Sequence, residues 1–186
     1  MCIRDSTGKA ATFLRLAGCD VGCFWCDVKE SWPLGAHPDK SVEKIMVDCV
    51  KAPSDIVVVT GGEPLMYNLD YLTALLQKVG LKTHIETSGA YPLTGQWDWI
   101  CLSPKKFKEP LAEVLPLAHE LKIIVYNKSD FDWAEKYAAT VNENCELLLQ
   151  VEWSKSEEML PAIVDYVKEH PQWKISLQTH KYLDIP

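Results

Sequence analysis

The sequence predicts an α/β fold, a mainly parallel sheet with crossover helices curled into a partial (β/α) barrel. Three observations predict it. Seven short apolar segments rich in Val, Leu and Ile recur along the chain. Amphipathic stripes at helical spacing lie between several of them. The segments tend to run into glycine or clustered polar residues, at the strand ends where such folds carry their sites. Seven strands in this length suit a partial barrel better than an eight-fold one.

The segments are residues 12–18 (TFLRLAG), 55–62 (DIVVVTGG), 82–89 (KTHIETSG), 98–105 (DWICLSPK), 120–127 (ELKIIVYN), 145–153 (CELLLQVEW) and 173–180 (WKISLQTH). Each reads as a strand buried on both faces. After Ser41, a good N-cap, Val42, Ile45, Met46, Cys49 and Val50 mark one face of a helix. After Asn68 come Leu72, Leu75, Leu76 and Val79 at the same spacing. Leu160, Ile163, Val164 and Val167 make a third stripe. Pro161 fits the first turn of that helix and Pro171 stops it. Residues 104–119 hold three prolines and read as a loop with little helix. No internal repeat or low-complexity tract appears.

One domain is expected for 186 residues at 47% hydrophobic composition. The net charge of −7 gives no general pull on nucleic acid, and Lys105, Lys106 and Lys108 form the one short basic cluster. No apolar run is long enough to cross a membrane. The seven cysteines are an odd number with three clustered. That pattern fits thiolate ligands in a reducing cytoplasm better than a disulfide framework.

Cys19, Cys23 and Cys26 fall within eight residues, as C-x3-C-x2-C, on a loop after the first strand. Three thiolates there can serve one metal centre. A closed zinc site wants a fourth ligand, for which His37 or Asp27 are candidates. A four-iron cluster also usually takes four cysteines, so three leave a position open for catalysis. Simple buried thiols are the remaining reading. Cys49, Cys101 and Cys145 sit in apolar patterns and read as small core residues.

The cluster resembles the C-x3-C-x2-C signature of the radical S-adenosylmethionine superfamily. The resemblance implies a partial barrel of that type. It implies a [4Fe-4S] cluster on the three cysteines, with the fourth iron chelated by S-adenosyl-L-methionine. Reductive cleavage of that cofactor gives a 5'-deoxyadenosyl radical, which abstracts hydrogen from substrate. Trp25 matches the aromatic position near the adenine. TGGEP (60–64) could be a tight turn opening a helix, and it also resembles the superfamily's GGE element. IETSG (85–89) and LSPKK (102–106) end the third and fourth strands and could be ordinary turns by themselves.

RLAGC, TGGEP, IETSG, SPK and the terminal QTHKYLDIP, in this order, resemble the 7-carboxy-7-deazaguanine synthase family from Thr7 to Pro186. The resemblance implies a lyase that converts 6-carboxy-5,6,7,8-tetrahydropterin to 7-carboxy-7-deazaguanine with loss of ammonia, toward queuosine and other 7-deazapurines. It also implies an electron donor such as a flavodoxin, a homodimer, assistance from magnesium and a cytoplasmic enzyme. Carried over by position, Trp25, Gly62, Glu63, Glu86, Ser88, Ser103, Lys105 and Gln150 fall at cofactor positions. Arg15, Thr60, His180 and the Pro186 carboxylate fall at substrate positions. The Arg15 fork suits the carboxylate that the substrate carries.

Three departures stand out. Residues 1–6 (MCIRDS) do not match the family's start, which carries a Q-G-E-G segment, and are expected to be a non-native start to a domain of residues 7–186. Val28 replaces a threonine whose hydroxyl helps to bind magnesium in the family, so the magnesium ligands are left unassigned. Gln150-Val151-Glu152-Trp153 keeps only the glutamine of a Q-P-M-D-type segment. A glycyl-radical-enzyme activase shares the cysteine motif but does not account for QTHKYLDIP. A non-catalytic zinc or iron–sulfur module leaves TGGEP and SPK unexplained.

Overall fold

The computed structural model describes residues 8–35 and 37–184. The unmatched start at 1–6 and the terminal Pro186 lie outside the described residues. The expected strands all form: β1 (Thr12–Leu16), β2 (Ile56–Gly61), β3 (Lys82–Thr87), β4 (Trp99–Leu102), β5 (Glu120–Val125), β6 (Glu146–Val151) and β7 (Trp173–Ser176). They make one sheet in sequence order, every neighbour parallel, with β1 and β7 at the edges. Parallel neighbours require crossover connections, and these carry an α-helix except between β3 and β4 and between β4 and β5.

The helices are α1 (Val42–Lys51), α2 (Asp70–Lys78), α3 (Asp130–Ala138), α4 (Ser156–Glu169) and the short α5 (Thr179–Leu183). Ser41 caps α1, its hydroxyl accepting from the Lys44 amide at 3.3 Å. Asn68 turns the chain into α2 by accepting from the Asp70 amide at 2.9 Å.

One face of the sheet carries the core. Val57, Val59, Ile85 and Ile100 pack against Cys49 of α1 and Leu72 and Leu76 of α2. Leu121, Ile123, Leu149 and Trp173 pack against Ala134 and Tyr137 of α3 and Met159 and Ile163 of α4. Each large side chain buried this way contributes about 1.5–3 kcal/mol. The pleat sends alternate residues to the opposite face, which is polar. There the register sets Arg15 beside Thr60, Glu86 beside Cys101, and Gln150 between Ile124 and Ser176.

Three details differ from the sequence reading. Helix α3 was not marked by a long aliphatic stripe, because its buried positions are Ala134 and Tyr137 together with Asp130. The Asp130 carboxylate instead starts the helix, accepting from the Tyr126 and Asn127 amides at 2.8 Å. Pro161 lies inside α4, which begins at Ser156 with Glu157 and Glu158 in the first turn. Those acidic residues favour an early start, at the expense of one intrahelical bond at the proline. Strand β7 ends at Ser176, and His180 sits in helix α5.

Candidate active site

The cysteine loop leaves β1 and is closed by backbone bonds. Gly18 donates to Ser31 O at 2.7 Å and Cys19 to Trp32 O at 3.3 Å. The Cys26 amide donates to Cys23 O at 3.0 Å, which curls the end of the loop. Cys19, Cys23, Cys26 and Trp25 all line one open cavity at the carboxyl ends of the strands.

The turn after β2 forms the adjacent wall. Gly62 donates to Leu16 O at 2.9 Å and Glu63 to Gly18 O at 2.8 Å. A Cβ on Gly62 would stand 2.0 Å from Gly18 O, and one on Gly61 would stand 2.2 Å from Leu16 O. Only glycine lets the two loops meet this closely. The Glu63 side chain is buried. It accepts from the Leu65 amide at 3.1 Å, the Thr87 hydroxyl at 2.6 Å, and the Ser88 amide and hydroxyl at 2.8 and 2.5 Å. These four donors fill the carboxylate's acceptor sites and rivet the TGGEP turn to the end of β3.

The remaining wall comes from the other strands. Thr60 of β2 donates to Glu86 of β3 at 3.3 Å. Lys122 of β5 pairs with Glu86 at 3.2 Å, both nearly closed to solvent. Beyond β4, Lys105 donates to Ser103 O and Oγ at 2.5 and 2.6 Å, and its ammonium lies 6.0 Å from the Trp25 ring. Gln150 of β6 accepts from the Ser176 hydroxyl at 3.2 Å. Thr60, Gly62, Glu63, Glu86, Ser88, Ser103, Lys105 and Gln150 all line the cavity. Arg15 is exposed on the edge strand β1 and does not line it. His180 lies on α5 between Thr179 and the lining residue Lys181, with a buried Nδ1.

The electrostatics suit a cationic centre. Burial pushes the Cys23 thiol up to about 11 and raises that of Cys19. Burial also holds the Lys105 ammonium down to about 8, opposed by the nearby Cys23. Thiols of this kind ionise when a metal compensates the charge. A set of soft sulfur donors fits iron–sulfur chemistry. The three thiols share the wall rather than converging on one point. Among the described residues, no three His, Cys, Asp or Glu side chains form a site for a single ion.

The profile of the radical SAM superfamily matches residues 14–103. The 7-carboxy-7-deazaguanine synthase of Flavobacterium psychrophilum is 59% identical over 180 residues, covering 97% of this chain and 85% of that protein. The synthase of Synechocystis sp. is 52% identical, covering 96% of this chain and 85% of its own length. The crystal structure of QueE from Escherichia coli superposes with a TM-score of 0.81 at 29% identity, covering 92% of this chain and 86% of that one. The chain belongs to the 7-carboxy-7-deazaguanine synthase family. It is a radical S-adenosylmethionine enzyme, and that superfamily implies a [4Fe-4S] cluster and S-adenosylmethionine.

As a 7-carboxy-7-deazaguanine synthase family member, the chain places further residues in the cavity that sequence reading passed over. Lys122, Glu152, Trp153, Gln178 and Lys181 line it, together with Asp27, for which the sequence suggests only a metal-ligand role. Lys122 carried a signal, since it interrupts the apolar run ELKIIV two positions from Glu120 and on the same face. Gln178 and Lys181 flank His180 within the terminal motif, and their reach across the cavity depends on the helical turn that the strand reading missed.

Proposed function

We propose that the cavity is the active site of a lyase that converts 6-carboxy-5,6,7,8-tetrahydropterin to 7-carboxy-7-deazaguanine with loss of ammonia. The observation that carries this is the common cavity wall formed by Cys19, Cys23 and Cys26 and the Gly62–Glu63 turn. Cys19, Cys23 and Cys26 would hold the cluster. When bound, the reduced cluster and S-adenosylmethionine supply the radical that abstracts a substrate hydrogen.

The chain's own residues bind and orient. The Gly61–Gly62 turn packs against the cysteine loop and forms the wall beside which a ligand amino acid moiety would sit. Glu63 acts through the turn, because its acceptor sites are filled by Leu65, Thr87 and Ser88. Trp25 and Lys105 offer a ring face and a cation to the cofactor, with Ser103 fixing the ammonium. Glu86, Ser88 and Gln150 offer polar edges from β3 and β6. Thr60, which lines the cavity, and His180 are assigned to the substrate, as is the Pro186 carboxylate, which lies outside the described residues. Arg15 lies in register with Thr60, on the cavity side of the sheet edge, and is assigned to the substrate carboxylate.

Magnesium has no hydroxyl at Val28 to bind, and Asp27 is engaged by Gln178 and Lys181 at 3.1 Å. An electron donor such as a flavodoxin, a homodimeric assembly and a cytoplasmic setting belong to the same reading, with family membership as their support. No described helix is long and apolar enough to cross a membrane.

The test is anaerobic reconstitution with iron and sulfide, reduction, and incubation with S-adenosylmethionine and 6-carboxytetrahydropterin. Mass spectrometry should find 7-carboxy-7-deazaguanine, and the product should vanish in Cys23→Ala. A reconstituted protein with a four-iron cluster and no product would remove the substrate assignment. A protein that binds zinc and no iron would remove the radical chemistry.

A further inference from the structure

We propose that Asp27 is a positioning residue, pinning helix α5 across the mouth of the cavity so that the cysteine loop and the His180 segment are held as one unit. Asp27 follows the last cysteine of the loop. Its Oδ2 accepts from Gln178 Nε2 at 3.1 Å and pairs with Lys181 Nζ at 3.1 Å. These donors sit on either side of His180, and Gln178 lies 151 residues away in the chain. Lys181 is well covered at 19% side-chain exposure, although Asp27 is at 42%.

The topology makes this bridge matter. β1 and β7 are the two edges of the sheet and share no ladder. The Asp27 contacts therefore join the first loop of the barrel to its last segment through side chains. Helix α5 spans only Thr179–Leu183, too short to persist by itself in water. A further anchor is aromatic: the Lys181 ammonium lies 4.9 Å from the Trp153 ring, and Trp153 meets Tyr182 edge to face at 5.5 Å. Lys181 thus contacts both the cysteine loop and the segment after β6, with Gln178 adding to the first tie and Tyr182 to the second. Releasing the Asp27 side leaves α5 hinged at Trp153 and opens the cavity between Cys26 and Gln178. A partly exposed pair adds little to global stability, so the effect is local opening.

The kinetic part rests on the reading that this cavity takes the substrate, whereas the structural part does not. Hydrogen exchange of residues 178–183 is measured in the metal-free protein for wild type, Asp27→Ala and Lys181→Met. Both variants should exchange this segment roughly tenfold faster, with the β2 and β5 amides unchanged. Lys181→Met approaches the pair from α5, so it serves even if Asp27→Ala folds poorly. In the reconstituted enzyme, Asp27→Ala should raise the substrate KM roughly tenfold, with iron content and kcat near wild type. Asp27→Glu should recover part of the loss. Unchanged exchange in Lys181→Met overturns the proposal, as does a lower kcat at unchanged KM. Faster exchange in a protein whose wild type makes no product would leave the pin standing and remove the substrate reading instead.

Discussion

The Lys122 ammonium lies 3.2 Å from the Glu86 carboxylate, with side-chain exposures of only 3% and 9%. Thr60 donates to the same carboxylate at 3.3 Å. Truncating one partner of a buried pair leaves the other charge without compensation, which costs about 3–5 kcal/mol. Lys122→Met is therefore expected to lower unfolding stability by about 3 kcal/mol, and the double variant with Glu86→Gln to recover most of it. Urea titration of the metal-free proteins decides this. A loss below about 1 kcal/mol in the single variant would mean the pair is solvated.

That pair also marks the limit of what the chain declares beforehand. The seven strands were legible because a parallel strand buried on both faces is a run of Val, Leu and Ile, as IVVV in β2 shows. The cysteine loop and TGGEP were legible because their spacing is local. Lys122 meeting Glu86 depends on the lateral positions of β3 and β5, which no local pattern encodes. Helix α5 was hidden because SLQTH continues the apparent strand, and the turn is held by distant Asp27 and Trp153. Arg15 shows the opposite case. Its motif position marks it as a substrate residue, while its place on the edge strand leaves it exposed.

Gly62 is expected to tolerate no side chain. The alanine Cβ would stand 2.0 Å from Gly18 O and 2.8 Å from Cys19 Cβ, and backbone cannot yield as a flexible side chain can. Gly62→Ala must push the TGGEP turn away from the cysteine loop and strain the bonds from Gly62 and Glu63 to Leu16 and Gly18. The expected destabilisation is about 1–3 kcal/mol, accompanied by at least about a tenfold loss of S-adenosylmethionine affinity. Calorimetric titration of the reconstituted protein measures the second quantity. Wild-type affinity in Gly62→Ala would show that the turn does not form the cofactor wall.

Val28 supplies no side-chain oxygen where the family resemblance implies a threonine, and Asp27 is already committed to Gln178 and Lys181. The rate of the wild-type enzyme is therefore expected to respond weakly to magnesium, less than about threefold between chelator-treated and magnesium-supplemented assays. Val28→Thr restores a hard oxygen ligand at that place and should enlarge the response. A strong magnesium response in wild type that Val28→Thr leaves unchanged would assign the ion to ligands elsewhere.

Lys105 gives the stability a pH dependence with a definite sign. Burial holds its ammonium at about 8 in the folded protein, against 10.5 for an ordinary lysine. Below pH 8 both folded and unfolded chains carry the proton, and the folded state bears the full penalty of the buried charge. Between pH 8 and 10.5 the folded lysine is neutral while the unfolded one remains charged. The unfolded state then binds more protons, so this group's contribution to stability rises with pH. Cys23, raised from 9.0 to about 11, acts in the opposite sense over the upper part of that range. Lys105→Met separates the two, because it removes the lysine and keeps the thiol. Comparing urea midpoints at pH 7.5 and 9.5, wild type should gain about 1–2 kcal/mol relative to Lys105→Met. Parallel pH profiles for the two proteins would mean that Lys105 is solvated enough to keep its ordinary charge. It would then face the cavity as a permanent cation, available to an anionic ligand group at every pH of assay.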